Sequence, residues 1–395
     1  MTNDVPTDRL AGFDFAAHNA EVAELWDAYY DHRPYRVPII LGINSRFFVL
    51  NPDANTEAVD FKSYSTDPDC MFDTQLRSSR WNRLNLLQDS ELGLPERWAI
   101  RVDFQNYYDA VWFGCTVRYL DGQVPDTRPE FADHPERVME NGLPDPFGGI
   151  FSRGLDYFEQ FQARAANEEY LGRPIDAFPP GCVCDGIMTI ACNLFGPEFV
   201  CTAMAAEPER LHVLFDFITE AIIARMRAWR EKMDLSNYRD PFGIGDDSIA
   251  LISTRMYQEH VLPYHRRLYD FFAPGEPHAI HLCGDATHHF PILEQELNVK
   301  SFDTGFPVDF ATLRENLGDD VTIYGGPRTE FLKDATPAEI TAETRRILGS
   351  GILDTGRFVL REANNMAPGT PIENIEAMYY AGRRYGVLTK TGERC

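Results

Sequence analysis

Short apolar runs recur along the chain, and most are followed by a polar residue and then by a stretch with helical spacing. This alternation is typical of βα units, in which parallel strands form one sheet. Eight such runs can be counted: Arg36–Ile43, Ala110–Cys115, Ile175–Cys184, Pro241–Asp246, Ala279–Cys283, Lys300–Asp303, Val321–Gly325 and Arg357–Glu362. Eight strands with intervening helices predict an α/β fold of the (β/α)8 TIM-barrel type.

Several of the intervening helices have recognisable ends. Apolar residues at helical spacing predict a helix from about Glu207 to Met233. Thr336 and Thr370 each precede a proline and, three positions on, a glutamate, so each predicts a helix that begins with a capping box. Asp309–Leu317, which ends at Gly318, predicts a shorter helix.

Two regions depart from the βα alternation. Residues 1–35 predict an N-terminal helical extension in front of a single barrel domain, residues 36–395. Residues 50–109 are aromatic and polar, and they predict an insertion at one end of the barrel. Because insertions at the carboxyl ends of barrel strands often cover the substrate, we expect this one to form a lid.

Composition restricts the classes of partner. The chain has 395 residues, with 37 basic and 61 acidic side chains and a net charge of −24. An acidic protein lacks the basic surface that nucleic acids and anionic membranes require. No apolar run reaches the roughly 18 residues of a membrane span, and the polar N-terminus does not resemble a signal peptide. We therefore expect a cytoplasmic protein whose eight cysteines are reduced.

Candidate chemistry is concentrated at the predicted strand ends. In a barrel of this type the active site lies at the carboxyl ends of the strands. The residues found there are Asn44, Cys115, Cys184 with Asp185, Asp246 with Asp247, His281 with Cys283, Asp303, Gly325 with Gly326, and Glu362 with Asn364. Most of them are polar or able to bind a metal, which the interior of a strand would rarely provide.

His281 and Cys283 form the sharpest local motif. Residues two apart on a strand point to the same side, so the imidazole and the sulfur would converge. Nitrogen and sulfur are preferred zinc ligands, although a structural cysteine is the common alternative. Of the adjacent pair Asp246 and Asp247, we expect at most one carboxylate to face the site and the other to cap the following helix. Asp303 could orient a histidine, accept a proton or cap a helix.

These motifs together resemble the uroporphyrinogen decarboxylase superfamily. The resemblance rests on Ala279-Ile-His281-Leu-Cys283-Gly284, Asp246-Asp247-Ser248, Tyr324-Gly-Gly326 and the stretch from Ala363 to Asn374. It covers roughly residue 175 to the end, and it is closer to the cobalamin-dependent methyltransferases than to the decarboxylase itself. The superfamily is built on a (β/α)8 barrel, which agrees with the strand count. Decarboxylation of a tetrapyrrole with eight carboxylates is disfavoured, because only Arg46 follows the first strand where the resemblance implies an arginine-rich loop.

The resemblance implies a zinc ion held by a His-x-Cys pair and a second, distant cysteine. His281 and Cys283 match the pair, whereas Asn364 stands where the second cysteine would be. We expect the carboxylate of Glu362 to complete the site. Asp246, Cys184 and Cys115 are the alternatives, and the site could also lack metal.

The function implied is zinc-assisted methyl transfer between a small methylated substrate or thiol and a corrinoid (cobalamin) cofactor carried by a separate corrinoid protein. The substrate would be an ether, a methylamine-type compound or a thiol. Asp246 or Asp303 would handle the proton balance. The substrate-binding candidates are Asn44, Tyr108, Cys115, Cys184 and Asn364, although the aromatic residues near Tyr108 could equally belong to the core. Two alternatives are a decarboxylase of another acid and a non-catalytic ligand-binding barrel.

Overall fold

The computed structural model describes residues 8–180, 184–235, 243–354 and 357–388. Its described residues fall into two compact units. The first unit combines residues from Met1–Ile100, Arg164–Asp176 and Asp309–Cys395, and the second combines Arg101–Ala163 and Ala177–Val308. The division into an extension of residues 1–35 and a barrel of residues 36–395 stays a prediction.

The helices of the described residues follow one another in chain order as α1 (Phe15–Tyr30), α2 (Ser45–Val49), α3 (Phe61–Thr66), α4 (Pro68–Asn85), α5 (Tyr108–Trp112), α6 (Ile150–Ala165), α7 (Ile187–Phe195), α8 (Pro197–Ala206), α9 (Pro208–Lys232), α10 (Thr254–His260), α11 (Leu262–Phe272), α12 (Phe290–Leu297), α13 (Phe310–Leu317), α14 (Thr329–Asp334), α15 (Pro337–Leu348) and α16 (Ile372–Tyr385). Short 3-10 turns cover Pro135–Met139, Asp247–Leu251 and Thr287–His289.

The strands are short, and in chain order they are β1 (Trp98–Arg101), β2 (Val117–Arg118), β3 (Asp126–Thr127), β4 (Glu169–Tyr170), β5 (Arg173–Phe178), β6 (Cys184–Asp185), β7 (Ile244–Gly245), β8 (His278–Leu282), β9 (Val299–Thr304), β10 (Thr322–Gly325) and β11 (Phe358–Leu360). In the second unit, β6, β7, β8 and β9 pair in parallel, each with the next along the chain. In the first unit, β10 pairs in parallel with β11. The predicted α/β class with parallel strands is therefore confirmed.

Most predicted strands correspond to observed parallel strands. Ala279–Cys283, Lys300–Asp303, Val321–Gly325 and Arg357–Glu362 match β8, β9, β10 and β11. The first run, Arg36–Ile43, forms no regular strand but bridges in parallel to β11 through Ile39 and Leu360. The fourth run matches β7, although its residues 241 and 242 lie outside the described residues.

Two strand predictions were wrong. The run Ala110–Cys115 forms no strand, since its first three residues belong to α5 and the rest follow it in a turn. A short apolar run cannot be assigned to strand or helix from its pattern alone. The run Ile175–Cys184 belongs to two different strands. Its beginning lies in β5, which is antiparallel to β4, and only its end, Cys184, lies in the parallel set. Residues 181–183, between these strands, lie outside the described residues.

The N-terminal helix of the first unit is confirmed as α1, and the side chain of Asp14 caps it by accepting from the amide of Ala17. The proposed insertion, residues 50–109, includes α3, α4 and β1. Nearby in the same unit, buried Arg36 donates to both carboxylate oxygens of Asp89, one at 2.5 Å and the other at 2.9 Å. Because a buried ion pair needs both partners, this contact fixes the start of the first predicted strand. The lid function stays a prediction.

The predicted capping box at Thr336 is confirmed. Its hydroxyl accepts from the amide of Glu339, while the Glu339 carboxylate accepts from the backbone amide of Thr336 at 2.9 Å. The corresponding prediction at Thr370 was wrong. Helix α16 begins at Ile372, and the Thr370 hydroxyl donates instead to the carbonyl of Ala367.

We expect Thr336→Ala to lower the free energy of unfolding by about 1 kcal/mol, because the first turn of α15 then loses its side-chain acceptor. Urea unfolding measures the change. Thr341→Ala, on the same helix, removes a hydroxyl whose partner among the described residues is the carbonyl of Pro337, and it should cost less than about 0.5 kcal/mol. Equal effects of the two substitutions would contradict a specific role for the cap.

The helices were also compared with the dimensions of a membrane span. Among the residues described, none of the individual helices has the length and apolarity needed to cross a bilayer. Helices α7 and α8 meet the criteria of length and composition only when taken together, and they are bent by 111° at the break between them.

Candidate metal centre

Four residues of the second unit occupy one row across the parallel strands β6 to β9. Asp185 pairs with Gly245, Gly245 pairs with His281, and His281 pairs with Asp303. Paired residues of neighbouring strands point to the same face of a sheet, because the pleats are in register. The side chains of Asp185, His281 and Asp303 therefore share one face, and Gly245 leaves a space in the row.

His281 and Cys283 converge as their spacing predicts. The Nε2 atom of His281 lies 2.8 Å from the sulfur of Cys283. Asp247 joins them, and one of its oxygens accepts from the backbone amide of Cys283 at 2.5 Å. One ligand atom from each of the three residues lies within 4.8 Å of the other two. All three side chains are partly exposed, so an ion or a substrate could reach them.

The imidazole of His281 is oriented by Asp303. Its Nδ1 atom lies 2.7 Å from a carboxylate oxygen of Asp303, and both side chains are largely buried, at 17% and 13% exposed. With the proton on Nδ1, the Nε2 atom carries the lone pair of the ring. Nε2 is the atom that faces Cys283. A histidine that ligates a metal commonly donates its other ring proton to a carboxylate in this way.

We expect Asp303→Asn to weaken zinc binding about tenfold to a hundredfold, because an amide stabilises the ligating tautomer of His281 less well. Competition with a chromogenic chelator measures the affinity. Asp156→Asn removes a carboxylate from the exposed face of α6 and is the matched control. Unchanged affinity in the Asp303 variant would contradict the orienting role.

The chain path around Cys283 depends on close backbone packing. A Cβ atom at Gly305 would overlap the carbonyl of Cys283, so only glycine fits where the segment after β9 crosses this residue. The turn Asp247–Leu251 is held on its other side by His289, whose Nε2 lies 2.9 Å from the carbonyl of Ile249. Burial lowers the pKa of His289 to about 4, so the ring is neutral at pH 7 and donates this bond.

The adjacent aspartates have different roles, but the expectation that one of them caps the following helix was wrong, because Asp246 binds the start of α7, which precedes it in the chain. Asp246 is fully buried and accepts from the amides of Met188 and Thr189 at the start of α7. It also lies 2.7 Å from Nε2 of His265. Asp246 therefore caps a helix, while Asp247 reaches the His281 and Cys283 pair. A catalytic role for Asp246 stays a prediction.

Asp185 extends the polar row on the side away from Asp303. Its backbone amide donates to Asp109, and Asp109 forms a buried ion pair with Arg225. The Arg225 guanidinium packs against the rings of Trp112 and Phe151, 4.7 Å from each centroid. Burial, followed by the nearby carboxylates of Asp109, Asp247 and Asp246, raises the pKa of Asp185 well above its ordinary value.

Three substrate-binding candidates belong to the second unit. Tyr108 is partly exposed at the start of α5, and its ring packs against Phe151 with 6.1 Å between centroids. Cys115 is buried, and burial raises the pKa of its thiol to about 11, so the thiol is neutral at pH 7. The side chain of Cys184 lies outside the described residues. Substrate binding by these residues stays a prediction.

Asn44, Asn364 and Glu362 belong to the first unit, and Glu362 and Asn364 both lie close to Gly42. Asn44 caps α2, and Glu362 is fully buried with one carboxylate oxygen 2.6 Å from the amide of Gly42. Asn364 adopts a positive φ of 74°, and its carbonyl accepts from Arg361. The role of Glu362 as a metal ligand and of the two asparagines in substrate binding stays a prediction.

The donor set of His281, Cys283 and Asp247 fits zinc. Zinc binds imidazole nitrogen, thiolate sulfur and carboxylate oxygen, and a catalytic zinc uses three protein ligands with one position open. All three donor types are present within one small volume, and the carboxylate of Asp303 supports the imidazole. Asp247 was missed as a ligand in the sequence. The available signal was the parallel register, which places the residues after β7 beside the end of β8.

Comparison with known proteins gives three findings. Residues 99–385 match the family described as uroporphyrinogen decarboxylase (URO-D). A methylated-thiol–coenzyme M methyltransferase from Methanosarcina mazei is 27% identical over 295 residues, which cover 71% of this chain and 70% of the relative. A solved methyltransferase from the same organism superposes with a TM-score of 0.62 at 17% identity, over 92% of this chain and 98% of that one. The last similarity shows a shared fold.

Proposed function

This chain belongs to the uroporphyrinogen decarboxylase family, and from that membership and the metal centre we propose that it is a zinc-assisted methyltransferase. In this proposal it moves a methyl group between a small methylated substrate or thiol and a corrinoid. A separate corrinoid protein supplies the corrinoid and docks over the carboxyl ends of the strands. The sequence similarity to a methyltransferase supports methyl transfer, and family membership supports a complete (β/α)8 barrel.

One observation carries the proposal. His281, Cys283 and Asp247 offer nitrogen, sulfur and oxygen donors within 4.8 Å of one another, and Asp303 orients the imidazole. A decarboxylase needs no such set of metal-donor side chains. A protein that merely binds a ligand would have no reason to keep a thiol, an imidazole and a carboxylate so close together at partly exposed positions.

Zinc bound by these residues would supply Lewis-acid chemistry, either polarising the heteroatom that carries the methyl group or favouring the thiolate form of a thiol acceptor. The chain's own residues hold the groups in place. Asp303 keeps the Nδ1 proton of His281, so that Nε2 stays available as a donor atom. Asp247 ties the Cys283 backbone to the turn after β7. Asp303 also lies where a proton could be exchanged with the imidazole when the substrate heteroatom changes charge.

Metal analysis tests the proposal directly. Protein purified without chelators should contain about one zinc per chain, as one site with three protein ligands implies. Loaded protein should demethylate a small donor in the presence of cob(I)alamin, followed by the change in corrinoid absorbance. Metal-free protein that still turns over an organic acid with release of carbon dioxide would favour the decarboxylase. Protein with neither metal nor turnover would favour a non-catalytic binding role.

A further inference from the structure

The row of paired residues across β6 to β9 continues beyond the metal centre to Asp185. Two strand spacings separate Asp185 from His281, or about 9 to 10 Å between backbones. The position between them is Gly245, which has no side chain to fill the space. The nearest side-chain atoms to a Cβ built at Gly245 would be those of His281, at 3.9 Å. The row therefore contains a gap flanked by a metal-binding imidazole and a carboxyl group.

Among the described residues, the carboxyl group of Asp185 has no contact that would give it a structural role. Its backbone amide bonds to Asp109, but its side chain forms no hydrogen bond or ion pair with the described part of the chain. Asp109 is already paired with Arg225, and Asp246 with His265. A carboxylate has lone pairs on both oxygens, so Asp185 can accept hydrogen bonds from a donor group placed in the gap.

The charge around the gap is negative even with a divalent ion bound. The charges of Cys283 as thiolate and of Asp247 would balance the two positive charges of zinc. The carboxylates of Asp109, Asp246 and Asp303 remain, and Arg225, which is paired with Asp109, is the one basic group among those with the largest effect on the pKa of Asp185. Burial is the largest cause of the raised pKa of Asp185, and the nearby carboxylates of Asp109, Asp247 and Asp246 raise it further. An anionic ligand would be repelled there and a cationic one attracted.

We propose that Asp185 is a further substrate-contacting residue, which binds an ammonium group of the substrate across the space at Gly245 and so selects amine-bearing substrates over anionic ones. This inference rests on the proposed function, because the reacting heteroatom must sit at the metal. The substrate class is then a small methyl donor or thiol with a positively charged nitrogen near the reacting atom. The ammonium group would keep Asp185 ionised when bound.

Three thiols of equal length provide the test: 2-aminoethanethiol, 2-mercaptoethanol and 2-mercaptoethanesulfonate carry a positive, a neutral and a negative end. Cobalt(II) in place of zinc gives a visible absorption band when a thiolate binds, so affinity is measured without turnover. Wild-type protein should bind 2-aminoethanethiol at least tenfold more tightly than 2-mercaptoethanol, and 2-mercaptoethanesulfonate most weakly. A hydrogen-bonded charge pair in a partly buried site is worth a preference of roughly tenfold to a hundredfold.

Asp185→Asn should reduce the preference for 2-aminoethanethiol over 2-mercaptoethanol to less than about threefold, while cobalt uptake is retained. Asp156→Asn removes an exposed carboxylate of the same unit and should keep the wild-type preference. Wild-type protein that binds the three thiols equally, or a preference that survives in Asp185→Asn, would overturn the inference and leave the proposed function standing. Asp185→Asn and Asp185→Glu proteins that fold but both lose cobalt would also overturn it. Wild-type protein that takes up no metal contradicts the proposed function itself, and with it the inference.

Discussion

Replacing either His281 or Cys283 by alanine is expected to abolish zinc binding and to slow methyl transfer at least about a thousandfold, since a bound Lewis acid contributes several kcal/mol to such a reaction. The two side chains lie 2.8 Å apart and supply two of the three donors at the centre. Elemental analysis gives the zinc content, and the rate of corrinoid methylation gives the activity.

The matched controls are His134→Ala and Cys201→Ala, which remove the same side-chain types elsewhere in the second unit. His134 is exposed and Cys201 is partly buried on α8, and neither belongs to the donor set. Both control proteins should keep about one zinc per chain and nearly wild-type rates. A His281→Ala or Cys283→Ala protein that retains both zinc and activity would place the reaction elsewhere in the molecule.

Substitution of Asp247 and of Glu362, one at a time, should identify the third zinc ligand. Asp247→Ala is expected to weaken zinc binding about a hundredfold to a thousandfold, because structural zinc sites bind with roughly 10–16 kcal/mol shared among a few ligands. Glu362→Gln should leave zinc affinity unchanged if Asp247 is the third ligand. Both affinities can be measured by chelator competition, with circular dichroism to confirm that the variants fold.

The two variants also decide between the structural and the sequence-based assignments. If Glu362→Gln loses zinc while Asp247→Ala keeps it, the expectation drawn from the sequence is right. Loss in both proteins would indicate four ligands and no open position, which would argue against a catalytic role. Because Glu362 is fully buried and bonded to the amide of Gly42, the stability of its variant must be measured in parallel.

The central pair of the site could be predicted because it depends on the strand period alone. His281 and Cys283 are two positions apart at the end of β8, and that spacing places both on one face in any strand. The third residue of the cluster could not be predicted in the same way. Asp246 and Asp247 are adjacent, and which of them faces the site is decided by the 3-10 turn that begins at Asp247.

The failures in the strand predictions have a similar origin. Ala110–Cys115 contains enough large apolar residues to suggest a buried strand, yet Ala110 and Trp112 are buried in the short helix α5, and Phe113 and Cys115 are buried just after it. At Thr370 the local pattern matches a capping box, but the hydroxyl donates to the carbonyl of Ala367, and α16 begins at Ile372, one residue later than the pattern predicts. At Thr370 a local bond from side chain to backbone replaces the cap, and the preference that is lost is worth only about 1 kcal/mol.

The contact between Asp247 and the backbone of Cys283 joins positions that are 36 residues apart. A metal ion bound by both residues would oppose separation of β7 from β8. Occupancy of the metal site and unfolding of this segment would therefore be linked by mass action. At a free ion concentration one hundred times the dissociation constant, the linkage adds about 2.7 kcal/mol of stability. Zinc binding would then lower the fraction of unfolded protein that proteases can attack, whether or not the protein is catalysing a reaction.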